Sequence, residues 1–276
     1  MTEEEFDAHI NECIKSEIET FHPEEFEALY GQKSRYYNYK MKIYTYFENI
    51  NFKQQEELVE LWNKSWSSHG FETAVLTLED AQKHPHYEEF VEKIKQLVLQ
   101  VTEKPLNRYG LSCYLRWLAY ATQENTDSFL VSDYDIINTG YMPVDVLESK
   151  QKLSFMARYC PCLAYGNPEQ FLNFCKDIIS ITANNIENIK TEYIKNKDRV
   201  YHDQNFLVLN QCRLENYTIC PARKYVMSYI HNNGNIKNWK ILHFSHSSVR
   251  KIKTSVPELS SMPSDELRIK LIKELN

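Results

Sequence analysis

In the stretch "FLVSDYDIINTG", the carboxylates Asp133 and Asp135 follow a short apolar run. In an extended or turning backbone the side chains at i and i+2 point to one side, so both can converge on one ligand. Hard carboxylate oxygens suit Mg²⁺ or Mn²⁺, ions that typically bridge protein carboxylates to the phosphates of a substrate. An acidic turn that merely closes a strand has the same spelling, so the context has to raise the metal reading. Two later segments supply that context. "HDQNFLVLN" sets His202, Asp203 and Gln204 ahead of an apolar run, as at the start of a helix facing a cleft. "WKILHFSHSS" ends an apolar run with His243 and His246, and imidazole is a good ligand for Mn²⁺.

The elements that must position these groups read as alternating strands and helices. "KIYTYFE" and "FETAVLTLED" carry β-branched and aromatic runs, and "DSFLVSD" gives a third strand. Between and after them, "QQEELVELWNKSW", "YEEFVEKIKQLVLQ" and "LSCYLRWLAYAT" have helical spacing. Such alternation predicts an α/β fold, a Rossmann-like, mostly parallel sheet flanked by helices, with ligands outside the carboxyl ends of the strands. Asp133 and Asp135 fall at such an end. Further strands are expected in "KLSFMARYCPCLAYG" and "NWKILHFSH", and helices after Pro168 and in "PSDELRIKLIKELN". Trp62, Trp66 and Trp117 are expected in the core. Arg116, in "YLRWLAY", reads equally as the polar edge of a buried helix or as a site group. The domain expectation is a helical extension over residues 1–40, a catalytic domain over 41–250 and a helical tail over 251–276. Within the extension, "TEEEFDAHINECIKSEIE" and "PEEFEALYG" read as helices, and Tyr36, Tyr37 and Tyr39 as a partly exposed patch.

Composition limits the classes of function. The 276 residues, 42% hydrophobic and 13% aromatic, can bury a sizeable core. No stretch approaches the roughly 20 apolar residues that cross a bilayer, and "MTEEEFDAHI" lacks the basic and apolar regions of a signal peptide. A cytoplasmic protein without a membrane span is expected. Seven scattered cysteines suit a reducing compartment better than a disulfide framework. The pair in "CPC", Cys160 and Cys162, has no second pair nearby and reads as a weak soft-metal signal. A net charge of −6 argues against broad nucleic-acid binding.

Taken in order from Met41 to His246, these segments resemble the metal-dependent GT-A glycosyltransferases that carry a DXD motif. The resemblance rests on "KIYTYFE", "WSSHGFETAVLTLEDAQKHPHY", "YGLSCYLRWLAYATQENTDSFLVSDYDIIN", "HDQNFLVLN" and "LHFSH". It implies a GT-A-like fold and transfer of a sugar from a nucleotide-sugar donor, with a uridine diphosphate sugar favoured. It also implies Mn²⁺ or Mg²⁺ held by Asp133, Asp135 and His243, with Asp133 touching the ion or the donor ribose. Tyr44, Thr45 and Tyr46 would line the nucleotide base pocket, and Arg116 would contact the donor near its diphosphate or sugar. Asp203 and Gln204 would be the catalytic pair beside the anomeric carbon or the acceptor, with a lean toward retention of configuration. Arg250 or Lys251 would replace a family Lys that grips the diphosphate. The acceptor, whether glycan, protein, lipid or other, is left open. Two alternatives stand beside this one. A glycosyltransferase-like binding or scaffold protein would keep the pocket without turnover. A DxD phosphatase or phosphotransferase of the haloacid dehalogenase class would need its motif after the first strand, whereas about 130 residues precede it here.

Overall fold

The computed structural model describes residues 41–50, 55–124, 127–146, 152–196, 201–210, 213–220, 226–229 and 239–275. The two N-terminal helices expected from the sequence, together with Tyr36, Tyr37 and Tyr39, lie outside the described residues. The chain divides into two units, Met1–Lys40 and Met41–Asn276, so the expected tail 251–276 falls within the second unit.

Six strands form the main sheet, in the order β2 (Glu72–Leu76), β1 (Lys42–Tyr46), β3 (Phe129–Ser132), β6 (Cys160–Gly166), β5 (Ser154–Ala157), β7 (Thr218–Ile219). β1 pairs in parallel with β2 and β3, and β5 with β7, while β6 runs against both β3 and β5. The sheet is therefore mostly parallel with one reversed strand. Its central strands are buried on both faces, which explains their nearly continuous apolar spelling. Along them, alternate residues enter different cores: Ile43, Leu130 and Leu163 join one cluster, and Tyr44, Phe129, Val131 and Ala164 the other. Helices α1 (Gln55–Ser67), α2 (Leu78–Gln82), α3 (Tyr87–Thr102), α4 (Arg108–Ala121), α5 (Pro168–Ala183) and α6 (Ile186–Asn196) accompany the sheet. Local sequence starts two of them. Asn107 accepts the Gly110 amide at 2.7 Å to cap α4, and Asn167 and Gln170 form a reciprocal capping box on α5 with Pro168 in its first turn.

The reversed β6 follows from a two-residue turn, Arg158 and Tyr159, between the paired Ala157 and Cys160. Arg158 takes the left-handed conformation, with φ of 58°. Because β6 opposes β3 with Ser132 across from Leu163, the first residues of β6 lie beside the carboxyl end of β3.

A second sheet, in the order β4 (Ile136–Asn138), β9 (Ile241–His243), β8 (Met227–Ser228), continues from the acidic turn. Helices α8 (His246–Ser255) and α9 (Ser264–Lys273) close the chain. Leu58 of α1, Ile137 of β4, Leu242 of β9 and Leu267, Ile269, Leu271 and Ile272 of α9 share one core cluster. The C-terminal helix is thus a wall of the body that carries the acidic turn. Among the described residues no helix is long and apolar enough to cross a membrane.

Trp62, Trp66 and Trp117 are fully buried, as expected. Trp62 and Trp66 stand four residues apart on one face of α1, and their indole N–H groups donate to Ser132 Oγ at 2.8 Å and to the Ile136 carbonyl at 3.0 Å. β4 is an edge strand of its sheet, and Trp66 covers an outward carbonyl that would otherwise be buried without a donor. Trp66→Phe removes that donor and leaves a void, which is expected to cost about 2 kcal/mol or more. Urea unfolding measures it; a loss below about 0.5 kcal/mol, the range of a neutral surface change, would contradict the account.

Candidate active site

A cavity of about 600 Å³ opens where the carboxyl ends of β1 and β3, the start of β6, the last residue of β9 and the first turns of α7 (Asp203–Leu209) and α8 meet. Asp133, Asp135 and His243 line it together, and one ligand atom from each lies within 4.8 Å of the others. The local chain explains this. After β3 the backbone turns tightly, with the Ile136 amide donating to the Asp133 carbonyl at 3.1 Å, and then enters β4. β4 pairs antiparallel with β9 so that Ile136 faces His243, and the Phe244 amide donates to the Asp135 carbonyl at 2.9 Å. Thus the register of a three-residue strand brings His243 to the acidic pair.

The electrostatics of the two carboxylates differ. Asp135 is largely buried, with 13% of its side chain exposed. Burial pushes its carboxyl up, but the charges of His243 and Arg268 outweigh that and hold it below the usual carboxylate range. His243 Nε2 approaches Asp135 Oδ1 at 3.4 Å, a charge contact, while that oxygen has no hydrogen-bond partner among the described residues. Burial would depress the His243 imidazole, but Asp135 dominates and raises it to about 9. Behind the pair, the buried Arg268 donates from Nε to the Phe244 carbonyl at 2.7 Å, pairs with Asp265, and stands 3.9 Å from Asp135 Oδ2.

Asp133 pairs instead with Arg116, whose guanidinium also grips Asp203. Asp203 is 1% exposed and its oxygens are fully engaged. Oδ2 accepts from Arg116 Nε at 2.9 Å and from Trp117 Nε1 at 2.7 Å, and Oδ1 accepts the Gln204 amide at 2.9 Å. Burial pushes the Asp203 carboxyl up, but Arg116, His202 and Trp117 together bring it down to about 2. A carboxylate held that low is a poor base, and its geometry is that of an anchor. Gln204 next to it is exposed and lines the cavity.

Of the residues singled out in the sequence, Tyr46, Arg116, Asp133, Asp135, Asp203, Gln204 and His243 all line the cavity. Tyr44 and Thr45 are not among its lining residues; Tyr44 packs edge-on against Phe129 at 4.7 Å within the core, and Thr45 is fully buried. Arg250 lines the cavity and Lys251 does not. His246 lines it too, at the start of α8, where Ser245 caps the helix by accepting the Ser248 amide at 3.2 Å. Sequence reasoning missed Arg268 and read Cys160, which lines the cavity, only as part of a weak soft-metal signal. Arg268 left a trace: it shares an i,i+4 stripe with Ile272 in an otherwise apolar helix face.

The donor set fits a hard divalent cation. Two carboxylates and an imidazole converge, and the orphaned, buried Asp135 Oδ1 is a lone acceptor that such an ion would satisfy.

No protein-family model matches the chain. No curated protein matches it. Among solved structures it is similar to the apo form of the glycosyltransferase GlyE of Streptococcus pneumoniae TIGR4, with 16% identity, 86% of this chain and 64% of that chain covered, and a TM-score of 0.45. It is also similar to the galactosyltransferase LgtC in complex with donor and acceptor sugar analogues, with 10% identity, 85% and 95% of the two chains covered, and a TM-score of 0.48. The chain thus spans less than two thirds of GlyE and nearly all of LgtC.

The Asp203 anchor makes a pH prediction. Its folded pKa of about 2 lies below its ordinary 3.8, so its stabilisation is complete above pH 4 and is lost as pH falls toward 2. The shift corresponds to about 2 kcal/mol. Asp203→Asn is expected to lower the urea midpoint by a constant amount at neutral pH, and the gap to wild type should narrow only below about pH 4. A gap that widens with acid would contradict the assignment.

Proposed function

We propose that the protein is a glycosyltransferase that uses a nucleoside diphosphate sugar, with a uridine diphosphate sugar as the favoured donor and Mn²⁺ or Mg²⁺ as the cofactor. The observation that carries this reading is the convergence of Asp133, Asp135 and His243 on the wall of a cavity large enough for such a donor, which Arg250, Ser245 and Ser247 also line. Acidic ligands for a cation beside a cationic, hydroxyl-lined helix start suit a diphosphate, which needs both. When bound, the ion would offset the charge that builds on the departing diphosphate as the bond to the sugar breaks.

The chain's own residues divide the remaining work. Arg250 and the start of α8 line the same cavity and would add positive potential where charge develops on the leaving phosphates. Tyr46, Tyr109 and Tyr134 give the cavity aromatic faces on which a base or a sugar ring can pack. Gln204 lines the cavity, and its side-chain amide oxygen would suit an anomeric centre that becomes oxocarbenium-like. Asp203 holds Gln204 by its backbone amide and holds Arg116 by its guanidinium, so its part is positioning. The resemblance of "HDQNFLVLN" to a DQ-containing segment of the DXD glycosyltransferases implies a lean toward retention of configuration. Thiols at Cys113, Cys160, Cys162 and Cys175 suit a reducing, cytoplasmic setting.

The test is nucleoside diphosphate release across a panel of nucleotide-sugars with Mn²⁺. Release is expected to require the ion and to fall about 100-fold or more in Asp135→Ala, in keeping with the loss of a group that stabilises developing charge. Gln204→Ala is expected to lower kcat more than it raises KM, the pattern of an interaction made in the transition state. Release that ignores the ion, or equal release by Asp135→Ala, would sink the site; binding without release would point to a donor-binding protein instead.

A further inference from the structure

The reversal of β6 places two thiols against the acidic turn. Cys160 and Cys162 stand two apart on one strand and so face one side. The Asp133 amide donates to the Cys162 carbonyl at 2.9 Å, which ties this strand start to the turn. One ligand atom from each of Cys160, Cys162 and His243 lies within 4.8 Å of the others. Two sulfurs and an imidazole form the donor set of thiophilic d¹⁰ cations such as Zn²⁺ and Cd²⁺, whereas Asp133 and Asp135 with that same imidazole form a harder set.

We propose that Cys160, Cys162 and His243 form a second, thiophilic metal site, and that it excludes the hard-cation site because both sets need the one imidazole of His243. Cys160 lines the cavity and gives the ion its approach, while Cys162 is fully buried behind it. Two metal–sulfur bonds and one metal–nitrogen bond form as two thiol protons and the imidazolium proton of His243 leave to solvent, and the two thiolates cancel the charge of the ion. A fourth position stays open to water, as in other three-ligand sites. A cation neutralised by sulfur leaves Asp133 and Asp135 with only Arg116 and Arg268 beside them and without their third ligand, so the place where a diphosphate would bind becomes more negative. Zinc-class ions would then inhibit sugar transfer and excess Mn²⁺ would relieve the inhibition. That consequence rests on the transferase reading; the metal site does not.

The experiment therefore reads binding alone. Reduced, chelator-stripped protein is titrated with Cd²⁺, followed by the thiolate-to-metal charge-transfer absorption in the ultraviolet, and with Mn²⁺, followed by electron paramagnetic resonance. A single Cd²⁺ is expected to bind, with affinity lowered at least about tenfold by Cys160→Ser and by His243→Ala, the scale of losing a group at a metal centre. Mn²⁺ affinity should fall in His243→Ala and Asp135→Asn but hold in Cys160→Ser, and Cd²⁺ affinity should hold in Cys113→Ser, a control thiol of the same cavity. Saturating Mn²⁺ should weaken Cd²⁺ binding. Cys160, which is partly exposed, carries the test, because replacing the buried Cys162 can disturb the core. Unchanged Cd²⁺ absorption in Cys160→Ser would overturn the site. Cd²⁺ and Mn²⁺ bound together at undiminished affinity, as across a bridging imidazole, would overturn the exclusion.

Discussion

The guanidinium of Arg116, set between Asp133 and Asp203, is the contact on which the site depends. It leaves α4 at a position where 11% of its side chain is exposed, and it joins the turn after β3 to the start of α7, 87 residues apart from it in sequence. A buried pair of this kind is costly to break from one side, because the remaining charge has no water to answer it. Here the pair is satisfied on all sides, by Trp117 and the Gln204 amide as well as by Arg116. The acidic turn and the Gln204 side chain are therefore held to one rigid core rather than to separate loops, which is what a site needs if its groups are to meet a substrate without rearranging.

The tryptophans extend the same logic. Trp62 and Trp66 brace the acidic turn from both ends, at Ser132 before Asp133 and at Ile136 after Asp135, and Trp117 braces Asp203. Each indole fills the core with its ring and spends its one donor on a segment that carries a site residue. Packing and positioning are thus performed by the same side chains.

This division explains what the sequence revealed. β1, β2 and β3 and helices α1, α3, α4 and α5 stand out because β-branched runs and helical spacing are local signals, and they place Asp133 and Asp135 at a strand end. β4, β7 and β8 have two or three residues each and no readable period. The reversal of β6 was also hidden, because its turn uses Arg158 and Tyr159 where a two-residue hairpin usually advertises itself with glycine or asparagine. With that reversal went the meaning of Cys160 and Cys162, which in sequence have no partner and in space have His243. The core tryptophans were legible as apolar bulk, but their donors act on residues 70 and 86 positions away, beyond any local pattern. Tyr44 and Tyr46 share a β1 face, yet only Tyr46, at the end of the strand, lines the cavity.

The charges around the acidic turn give the site its remaining constraint. Arg116, Arg268 and a protonated His243 stand in contact with four carboxylates, Asp133, Asp135, Asp203 and Asp265, which leaves one negative charge over. An imidazolium cannot ligate, so an ion that binds must displace the proton that Asp135 helps His243 to keep near pH 9. Once that proton leaves, the excess becomes two negative charges, which one divalent cation balances. In the proposed site Arg268 and His243 hold the Asp135 carboxyl below the usual carboxylate range, whereas burial outweighs Arg116 and pushes the Asp133 carboxyl up, so a divalent cation would complete the charge balance of the turn.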